Sequence, residues 1–359
     1  MCLSRFVTIL LVTSALPLAA CGAPDQPSGT TRHAETSDTR GTPGVFTRDQ
    51  IEAGVPAAAS PVGPEQPQAS AIADQAPSVT PPDAGLIRLQ VLLDRSAFSP
   101  GMIDGLHGEN TRQAIAAYRE AKGLGSGDLA DAALLQSLSA SDPDPVTAQY
   151  TLTQMDVSGP FSSPPGQDLA AQAVAGTRFS TARERMAERY HISEALLAAL
   201  NPGVDFTSAG QTLMVPALRN TPLPEVARIE VDKAERAVRA FDGSGTLVAF
   251  YPATIGSEDN PTPGGDLTVV GVAPEPDYLY DPSRLTFGKG GPRVTVPAGP
   301  NNPVGTVWID LSRDTYGIHG TPDPSRIGKT ASHGCVRLTN WDAEQLAAAV
   351  RPGVHVRFV

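Results

Sequence analysis

Cysteine is scarce in this chain of 359 residues: it occurs three times, at Cys2, Cys21 and Cys335. Aromatic residues make up only 5% of the sequence and charged residues 18%, whereas Gly and Pro number 34 each. So much Gly and Pro argues against a helical bundle and favours strands, turns and linkers. Basic residues are not in excess, since the formal net charge is −11, and this argues against a nucleic-acid partner. The length predicts two or three domains.

One apolar run stands out near the N-terminus, Phe6 to Leu18, and it has the length of the hydrophobic region of a secretion signal. It is too short to span a bilayer comfortably. It ends in Leu18-Ala19-Ala20-Cys21, which resembles a bacterial lipobox. Residues 1–20 would then be a lipoprotein signal peptide and Cys21 the lipidated residue; an ordinary signal peptide is the alternative. Gly22 follows, and by resemblance to Gram-negative lipoproteins it implies a periplasmic protein anchored to the outer membrane.

This processing would leave Cys335 without a partner, because Cys2 departs with the signal and Cys21 carries the lipid. Exported proteins occupy an oxidising compartment in which cysteines usually pair. A cysteine left over in such a setting indicates a reactive thiol. The alternative is a buried structural cysteine, since free cysteine is among the most buried residue types.

The middle of the chain divides by composition. Residues 21–84 are rich in Pro, Ala, Ser and Thr, cannot bury enough apolar surface to fold, and are predicted to form a disordered tether. Residues 85–141 carry leucines at helical spacing, a turn-rich loop, and a second helix that we expect Thr111 to cap. This pattern resembles the three-helix peptidoglycan-binding domain and implies peptidoglycan as a partner.

A second small unit follows a predicted connector, residues 142–176, which is again rich in Pro, Ser and Ala. Residues 177–218 show two short helical patterns, the second with Ser193 as its predicted cap, and a strand-like stretch, Gln211–Pro216. The unit resembles a small α+β LysM module, mainly through Ala199-Leu200-Asn201-Pro202 and the closing strand. It would bind glycan or act as a packing or spacing domain.

Residues 226–359 differ in kind from what precedes them. Apolar residues alternate with polar ones in several short stretches, as in half-buried strands. A single helix is well signalled, from about Trp341 to Val350, with Thr339 or Asn340 as its cap. The sequence therefore predicts a mainly β domain with one helix, large enough to have its own core.

The most informative stretch runs from Ile318 to Leu338 and carries Cys335, with His333 two positions before it and His319 sixteen before it. Free cysteine titrates near pH 8.5, so a neighbouring imidazole is needed to take the proton and make a nucleophile. We interpret Cys335 as that nucleophile. A zinc site formed by both histidines and Cys335 is the alternative, since catalytic zinc takes three protein ligands.

With these residues identified, residues 226–359 are similar to the catalytic domain of YkuD-type L,D-transpeptidases. Four motifs occur in the family's order: Thr262-Pro263-Gly264-Gly265, Asn302-Pro303-Val304-Gly305, Ile318-His319-Gly320-Thr321 and Ser332-His333-Gly334-Cys335-Val336-Arg337-Leu338. The resemblance implies a multidomain protein with a mainly β catalytic domain, a YkuD-like β-sandwich with one helix, behind a three-helix peptidoglycan-binding domain and a LysM-like unit. It implies neither a metal nor an organic cofactor.

The resemblance also implies roles for the motif residues. His319 would be the base, with its other ring nitrogen held by a backbone carbonyl near Gly320. We expect His333 to lie near the nucleophile or the substrate, and the backbone N–H groups around Gly334 and Cys335 to face the oxyanion. Arg337 is expected to bind a substrate carboxylate, with a surface ion pair as the alternative. Predicted substrate contacts also include Gly320 and Ser332.

The reaction carried over from the family begins when Cys335 attacks meso-diaminopimelate at the third position of a tetrapeptide stem. D-Ala leaves, a thioester forms, and an amine of a neighbouring stem completes a diaminopimelate–diaminopimelate cross-link. Water as acceptor would make the protein an L,D-carboxypeptidase, and a lipoprotein lysine would make it an anchoring or release enzyme. A rival of another class is a non-catalytic wall-binding lipoprotein, which has no need of His319 and Cys335.

Overall fold

The computed structural model describes residues 46–57, 81–163, 166, 168–219, 221–256, 262, 264–283, 291–332 and 334–359. These residues fall within one unit, Thr42–Val359. The predicted signal peptide, Cys21, most of the predicted tether and His333 lie outside the described residues. Over the described ranges, no helix is long and apolar enough to cross a bilayer.

Helices concentrate in the first half of the described chain, and strands in the second. The helices are α1 Arg48–Glu52, α2 Ala84–Arg95, α3 Glu109–Lys122, α4 Ala132–Ser141, α5 Gln154–Val157, α6 Leu169–Ala175, α7 Ala182–Arg189, α8 Glu194–Leu200 and α9 Asn340–Ala349. The strands are β1 Thr147–Thr151, β2 Thr212–Pro216, β3 Arg228–Asp232, β4 Ala237–Phe241, β5 Leu247–Pro252, β6 Gly265–Pro274, β7 Tyr278–Tyr280, β8 Val294–Val296, β9 Val307–Leu311, β10 Gly317–His319, β11 Val336–Arg337 and β12 His355–Phe358.

The C-terminal domain is built on an eight-stranded sheet in the order β11-β10-β9-β6-β12-β3-β4-β5. Strand β6 joins its two halves, because its first residues pair with β12 and its last residues pair with β9. The register shifts between Val269 and Gly271, and such a bulge bends a strand. The prediction of a mainly β domain with one helix is therefore confirmed; its described residues form this eight-stranded sheet, with a bulge in β6, and a separate two-stranded sheet of β7 and β8.

The period-2 pattern read from the sequence corresponds to burial in this sheet. Ile229 and Val231 of β3 and Val356 and Phe358 of β12 are buried, while the residues between them reach solvent to differing degrees. Helix α9 begins one residue before its predicted start, and its cap is Thr339, whose hydroxyl accepts from the backbone N–H of Asp342 at 3.1 Å. The start of α9 thus lies two residues after Leu338, the end of the motif that carries Cys335.

Helices α2, α3 and α4 occupy the segment for which three helices are predicted, and the leucines of α2 together with Leu134 and Leu138 of α4 are buried. The predicted capping role of Thr111 is wrong. Helix α3 begins at Glu109 behind Gly108, so Thr111 lies inside the first turn, where its buried hydroxyl accepts from Nε2 of Gln90 at 3.2 Å. Gln90 also bonds the loop before α3 through the backbone of Gly105, which draws the start of α3 against α2. Peptidoglycan binding by this segment stays a prediction.

Residues 177–218, here called the accessory unit, contain α7, α8 and β2. Ser193 caps α8 as predicted, accepting from the N–H of Leu196 at 3.0 Å. Strand β1, from the predicted connector, pairs with β2 along its whole length and so extends the unit toward its N-terminal side. One hydrophobic cluster includes Met186 and Leu197 of this unit and Phe250 of β5. The accessory unit is thus packed onto the β domain.

Candidate active site

The turn that carries Cys335 is closed by its own neighbours. The hydroxyl of Ser332 donates to the carbonyl oxygen of Cys335 at 2.6 Å and accepts from the N–H of Gly334 at 3.1 Å. The hydroxyl of Thr262 donates to the carbonyl oxygen of Gly334 at 2.9 Å. Gly334 has φ +122°, and a Cβ there would lie 2.9 Å from the ring of Tyr316, so only glycine fits. We call Ser332 with residues 334–337 the nucleophile turn; it leaves the thiol partly exposed.

The thiol of Cys335 is not activated by its surroundings alone. Burial raises its pKa, against the backbone of Gly317 and the positive charge of Arg337, which both lower it. Its sulfur lies 3.6 Å from the carbonyl oxygen of Thr315, an acceptor that suits the protonated S–H form. The resting group is therefore a thiol, and it needs a base to become a nucleophile.

The sheet brings His319 beside the strand that follows this thiol. Strands β10 and β11 run parallel, with Ile318 opposite Val336 and His319 opposite Arg337. Paired residues of neighbouring strands share a face, so Arg337 and His319 face the same side, and Cys335 lies directly before β11. The charge of Arg337 lowers the pKa of both His319 and Cys335, so Arg337 lies near each of them.

His319 is buried and held in one orientation. Its Nδ1 lies 2.7 Å from the carbonyl oxygen of Gly320. A carbonyl oxygen only accepts, so Nδ1 carries the proton and Nε2 keeps a free lone pair. Burial lowers the pKa of His319 to about 3, helped by the charge of Arg337 and opposed by backbone groups of Gly320 and Val304. The ring is thus neutral at ordinary pH, in the tautomer that a general base requires.

Two aromatic side chains border these groups, and the sequence reasoning missed both. Trp308 of β9 is paired with His319 across the sheet and stacks on its ring, with centroids 5.3 Å apart and planes at 19°. Tyr278 of β7 is half-buried, and its pKa is raised by burial and then by the neighbouring Cys335. Neither residue belongs to a motif that the sequence singled out; the pairing of β9 with β10 identifies Trp308, eleven positions before His319.

Arg337 is half-buried beside the thiol, and burial lowers its pKa. Its Nε is buried and has no hydrogen-bond partner in the part of the chain that the structure describes. Within the same residues its guanidinium forms no ion pair with a carboxylate. A half-buried cation without a partner next to a nucleophile suits an anionic group of a ligand.

Three predicted roles change in the structure. Ser332 is only 3% exposed and its hydroxyl is engaged twice within the turn, so it orders the turn instead of touching substrate. Gly334 already donates its N–H to Ser332, so this N–H is not free for an oxyanion. Gly320 is buried and holds His319 through its carbonyl, so it positions the base instead of lining a substrate pocket.

His333 lies outside the described residues, so the three-ligand zinc alternative, which needs it, is not tested. Among the described residues no three His, Cys, Asp or Glu side chains cluster in a way that could hold a metal ion. Asn340, considered above only as a helix cap, has its side chain buried against Gly320. The sequence signal that could have identified it is an asparagine two residues after Leu338, the end of the motif that carries Cys335.

Comparison with known proteins agrees with this geometry. The family model described as the L,D-transpeptidase catalytic domain YkuD matches residues 226–357. A putative L,D-transpeptidase YkuD of Bacillus licheniformis is 34% identical over 175 residues, which cover 48% of this chain and 90% of that protein. A probable L,D-transpeptidase ErfK/SrfK of Escherichia coli is 32% identical over 184 residues, 49% of this chain and 58% of that protein.

Solved structures of L,D-transpeptidases are also similar to this chain. L,D-transpeptidase 3 of Mycobacterium tuberculosis is 17% identical, with 42% of this chain and 75% of that chain covered at a TM-score of 0.31. The catalytic domain of the E. faecium L,D-transpeptidase acylated by ertapenem is 20% identical, with 38% of this chain and 98% of that chain covered at the same TM-score of 0.31. From the family model and the B. licheniformis relative, the chain belongs to the YkuD family of L,D-transpeptidases.

Proposed function

We propose that this protein is a cysteine-dependent L,D-transpeptidase that acts on the tetrapeptide stems of peptidoglycan and joins two diaminopimelate residues. The observation that carries the proposal is the hydrogen bond between Nδ1 of His319 and the carbonyl of Gly320, which leaves Nε2 as a base on β10, the strand that pairs with β11 directly after Cys335. The charge of Arg337 acts on both groups and offers a site for a stem carboxylate.

The first half-reaction forms a thioester. Nε2 of His319 takes the proton of the Cys335 thiol while the sulfur attacks the carbonyl carbon of the third stem residue. The C–N bond to D-Ala breaks, and the imidazolium returns its proton to the leaving amine. Since the pKa of the thiol is raised and that of His319 is lowered, the resting pair is neutral, so proton transfer accompanies attack. The N–H of Cys335 remains as a candidate donor to the oxyanion.

The second half-reaction transfers the acyl group. Nε2 of His319 takes a proton from the side-chain amine of a neighbouring stem, the amine attacks the thioester, and the C–S bond breaks to regenerate the thiol. Water in place of the amine would give an L,D-carboxypeptidase, and a lipoprotein lysine would give an anchoring enzyme. All three acceptors would react through the same protein groups, so the identity of the product distinguishes the three activities.

The test is mass spectrometry of a disaccharide tetrapeptide donor incubated with the purified protein, with and without an acceptor stem. We expect loss of D-Ala and a cross-linked product, and neither with Cys335→Ala. A tripeptide product without cross-link would point to the carboxypeptidase. Equal D-Ala release by both proteins would refute the nucleophile. Ertapenem provides a second readout: an adduct is expected on the wild type and not on Cys335→Ala.

We further propose that the mature protein is a periplasmic lipoprotein attached through Cys21 to the outer membrane, with the segment of α2–α4 and the accessory unit directed to the wall. The support is the lipobox-like sequence alone. Intact-mass analysis of protein extracted from membranes should show the lipid. Cys21→Ser should remove both that mass and the membrane association; a Cys21→Ser protein that stays in the membrane fraction would refute the anchor.

A further inference from the structure

The side-chain amide of Asn340 is saturated with hydrogen bonds. Its Oδ1 accepts from the backbone N–H of Thr306 at 3.2 Å and from that of Thr321 at 3.0 Å. Its Nδ2 donates to Oε1 of Glu188 at 2.6 Å and to the carbonyl oxygen of Pro300 at 3.2 Å. An amide can form about four such bonds, so Asn340 uses its full capacity. It ties two loops of the β domain to α7 of the accessory unit.

One of these bonds reaches the base through a single peptide group. The N–H of Thr321 and the carbonyl of Gly320 belong to the same planar peptide unit. The N–H end is held by Asn340, and the carbonyl end holds Nδ1 of His319 at 2.7 Å. Rotation of this plane would move the carbonyl away from the ring, and a donor bound at one end polarises the acceptor at the other. Asn340 therefore fixes the group that fixes the tautomer of His319.

Glu188 fixes the orientation of Asn340 in turn. Glu188 and the carbonyl of Pro300 are both acceptors, so the NH₂ side of the amide must face them and Oδ1 must face the two N–H groups. A flipped amide would set Oδ1 against the carboxylate of Glu188. The close approach of the amide also requires glycine at position 320, since a Cβ on Gly320 would lie 2.1 Å from Oδ1 of Asn340. Glu188, Asn340 and the Gly320–Thr321 peptide are here called the base cradle.

We propose that Glu188, a residue of the accessory unit, is a positioning residue for His319, acting through Asn340 and the Gly320–Thr321 peptide. The proposal rests on the proposed function, in which His319 is the base. It gives the accessory unit a part in the reaction that is separate from any binding of the wall. Glu188 needs to act only as an acceptor. Burial raises its pKa to about 7, so an uncharged carboxyl occupies this position in many molecules near neutral pH.

A matched pair of substitutions separates contact from charge. Glu188→Gln keeps an acceptor oxygen at the same reach and removes the charge, while Glu188→Asp keeps the charge and withdraws the oxygen by one methylene. We expect the ertapenem acylation rate constant of Glu188→Gln to stay within about twofold of wild type and that of Glu188→Asp to fall about tenfold. In the D-Ala release assay the loss should fall on kcat and leave KM unchanged, because the base is misplaced and the substrate contacts are not.

Glu194→Ala is the control, because Glu194 belongs to the same unit but pairs with Arg183 at the surface; its rates should equal those of wild type. Equal rates for Glu188→Asp and Glu188→Gln would overturn the proposal. An inactive wild-type protein would instead refute the proposed function, so the two failures are distinguishable.

A second route serves if Glu188→Asp does not fold, as judged by its melting temperature. Asn340→Asp retains an acceptor for Thr306 and Thr321 but turns an oxygen toward Glu188, and should slow acylation about tenfold. Adding Glu188→Gln supplies a donor to the new carboxylate and should restore part of the rate, a coupling that a double-mutant cycle measures. A double variant no faster than Asn340→Asp alone would contradict the proposal.

Discussion

The two halves of the candidate active site are held in place in different ways. The nucleophile turn is closed by Ser332, whose hydroxyl bonds Gly334 and Cys335 within three positions along the chain. The base cradle joins Glu188 to Asn340, 152 positions apart, before it reaches Gly320 and His319. The turn around the thiol is thus held by bonds between chain neighbours, whereas the peptide that holds His319 is linked through Asn340 to the accessory unit.

The largest effect should come from His319, the residue that the base cradle holds. His319→Ala removes the base, and general base catalysis contributes about 10²- to 10⁴-fold to a rate, so acylation by ertapenem should slow by that factor. His355→Ala, at an exposed position of β12, should leave the rate unchanged. A His319→Ala protein that acylates at the wild-type rate would mean that another group deprotonates Cys335.

The nucleophile turn should respond next. Ser332→Ala leaves the N–H of Gly334 and the carbonyl of Cys335 without their shared partner, and an unsatisfied buried polar group costs about 1–3 kcal/mol. We expect a lower melting temperature and a slower acylation by roughly tenfold. Ser325→Ala removes an exposed hydroxyl that bonds Asp323 and serves as the control. Unchanged melting temperature and rate would show that the turn does not depend on this hydroxyl.

A smaller effect is expected at Arg337, the last residue of the nucleophile turn, which is paired with His319 across the sheet. Arg337→Lys keeps the charge but loses the two-pronged donor geometry that matches a carboxylate. The KM for a tetrapeptide donor should rise severalfold with little change in kcat. Amidation of the donor carboxylates should abolish the difference between the two proteins. A difference that persists with the amidated donor would assign Arg337 to the fold instead of the substrate.

The last effect concerns the free energy of unfolding and its dependence on pH, not a rate. The pKa of His319 falls from 6.5 in the unfolded chain to about 3 when folded. Between these values the unfolded state binds a proton that the folded state does not, so this group's contribution to stability is lost as pH falls from 6.5 toward 3. Urea unfolding at pH 7 and pH 4 should show a larger loss for wild type than for His319→Gln. Equal losses would mean that His319 is not buried in its neutral form.

Features that depend on residues close together in the chain could be predicted from the sequence. The helix cap Thr339, the alternation in β3 and β12, and the contact between His319 and the Gly320 carbonyl agree with expectation. The roles of Ser332 and Gly320 do not, because an exposed motif residue and a buried one look alike in a sequence. A hydroxyl's partners depend on the path of the turn, which the residue order alone does not specify.

The sequence by itself determined the mainly β domain and the motifs that carry Cys335 and His319, because strand periodicity and a short motif are local properties of the chain. Only the tertiary structure decided that Trp308 stacks on His319 and that Glu188 of the accessory unit reaches Asn340. The physical reason is that both contacts join different elements, the first between neighbouring strands and the second across 152 positions of the chain. Their energy depends on how whole elements pack, and no spacing of residues records that.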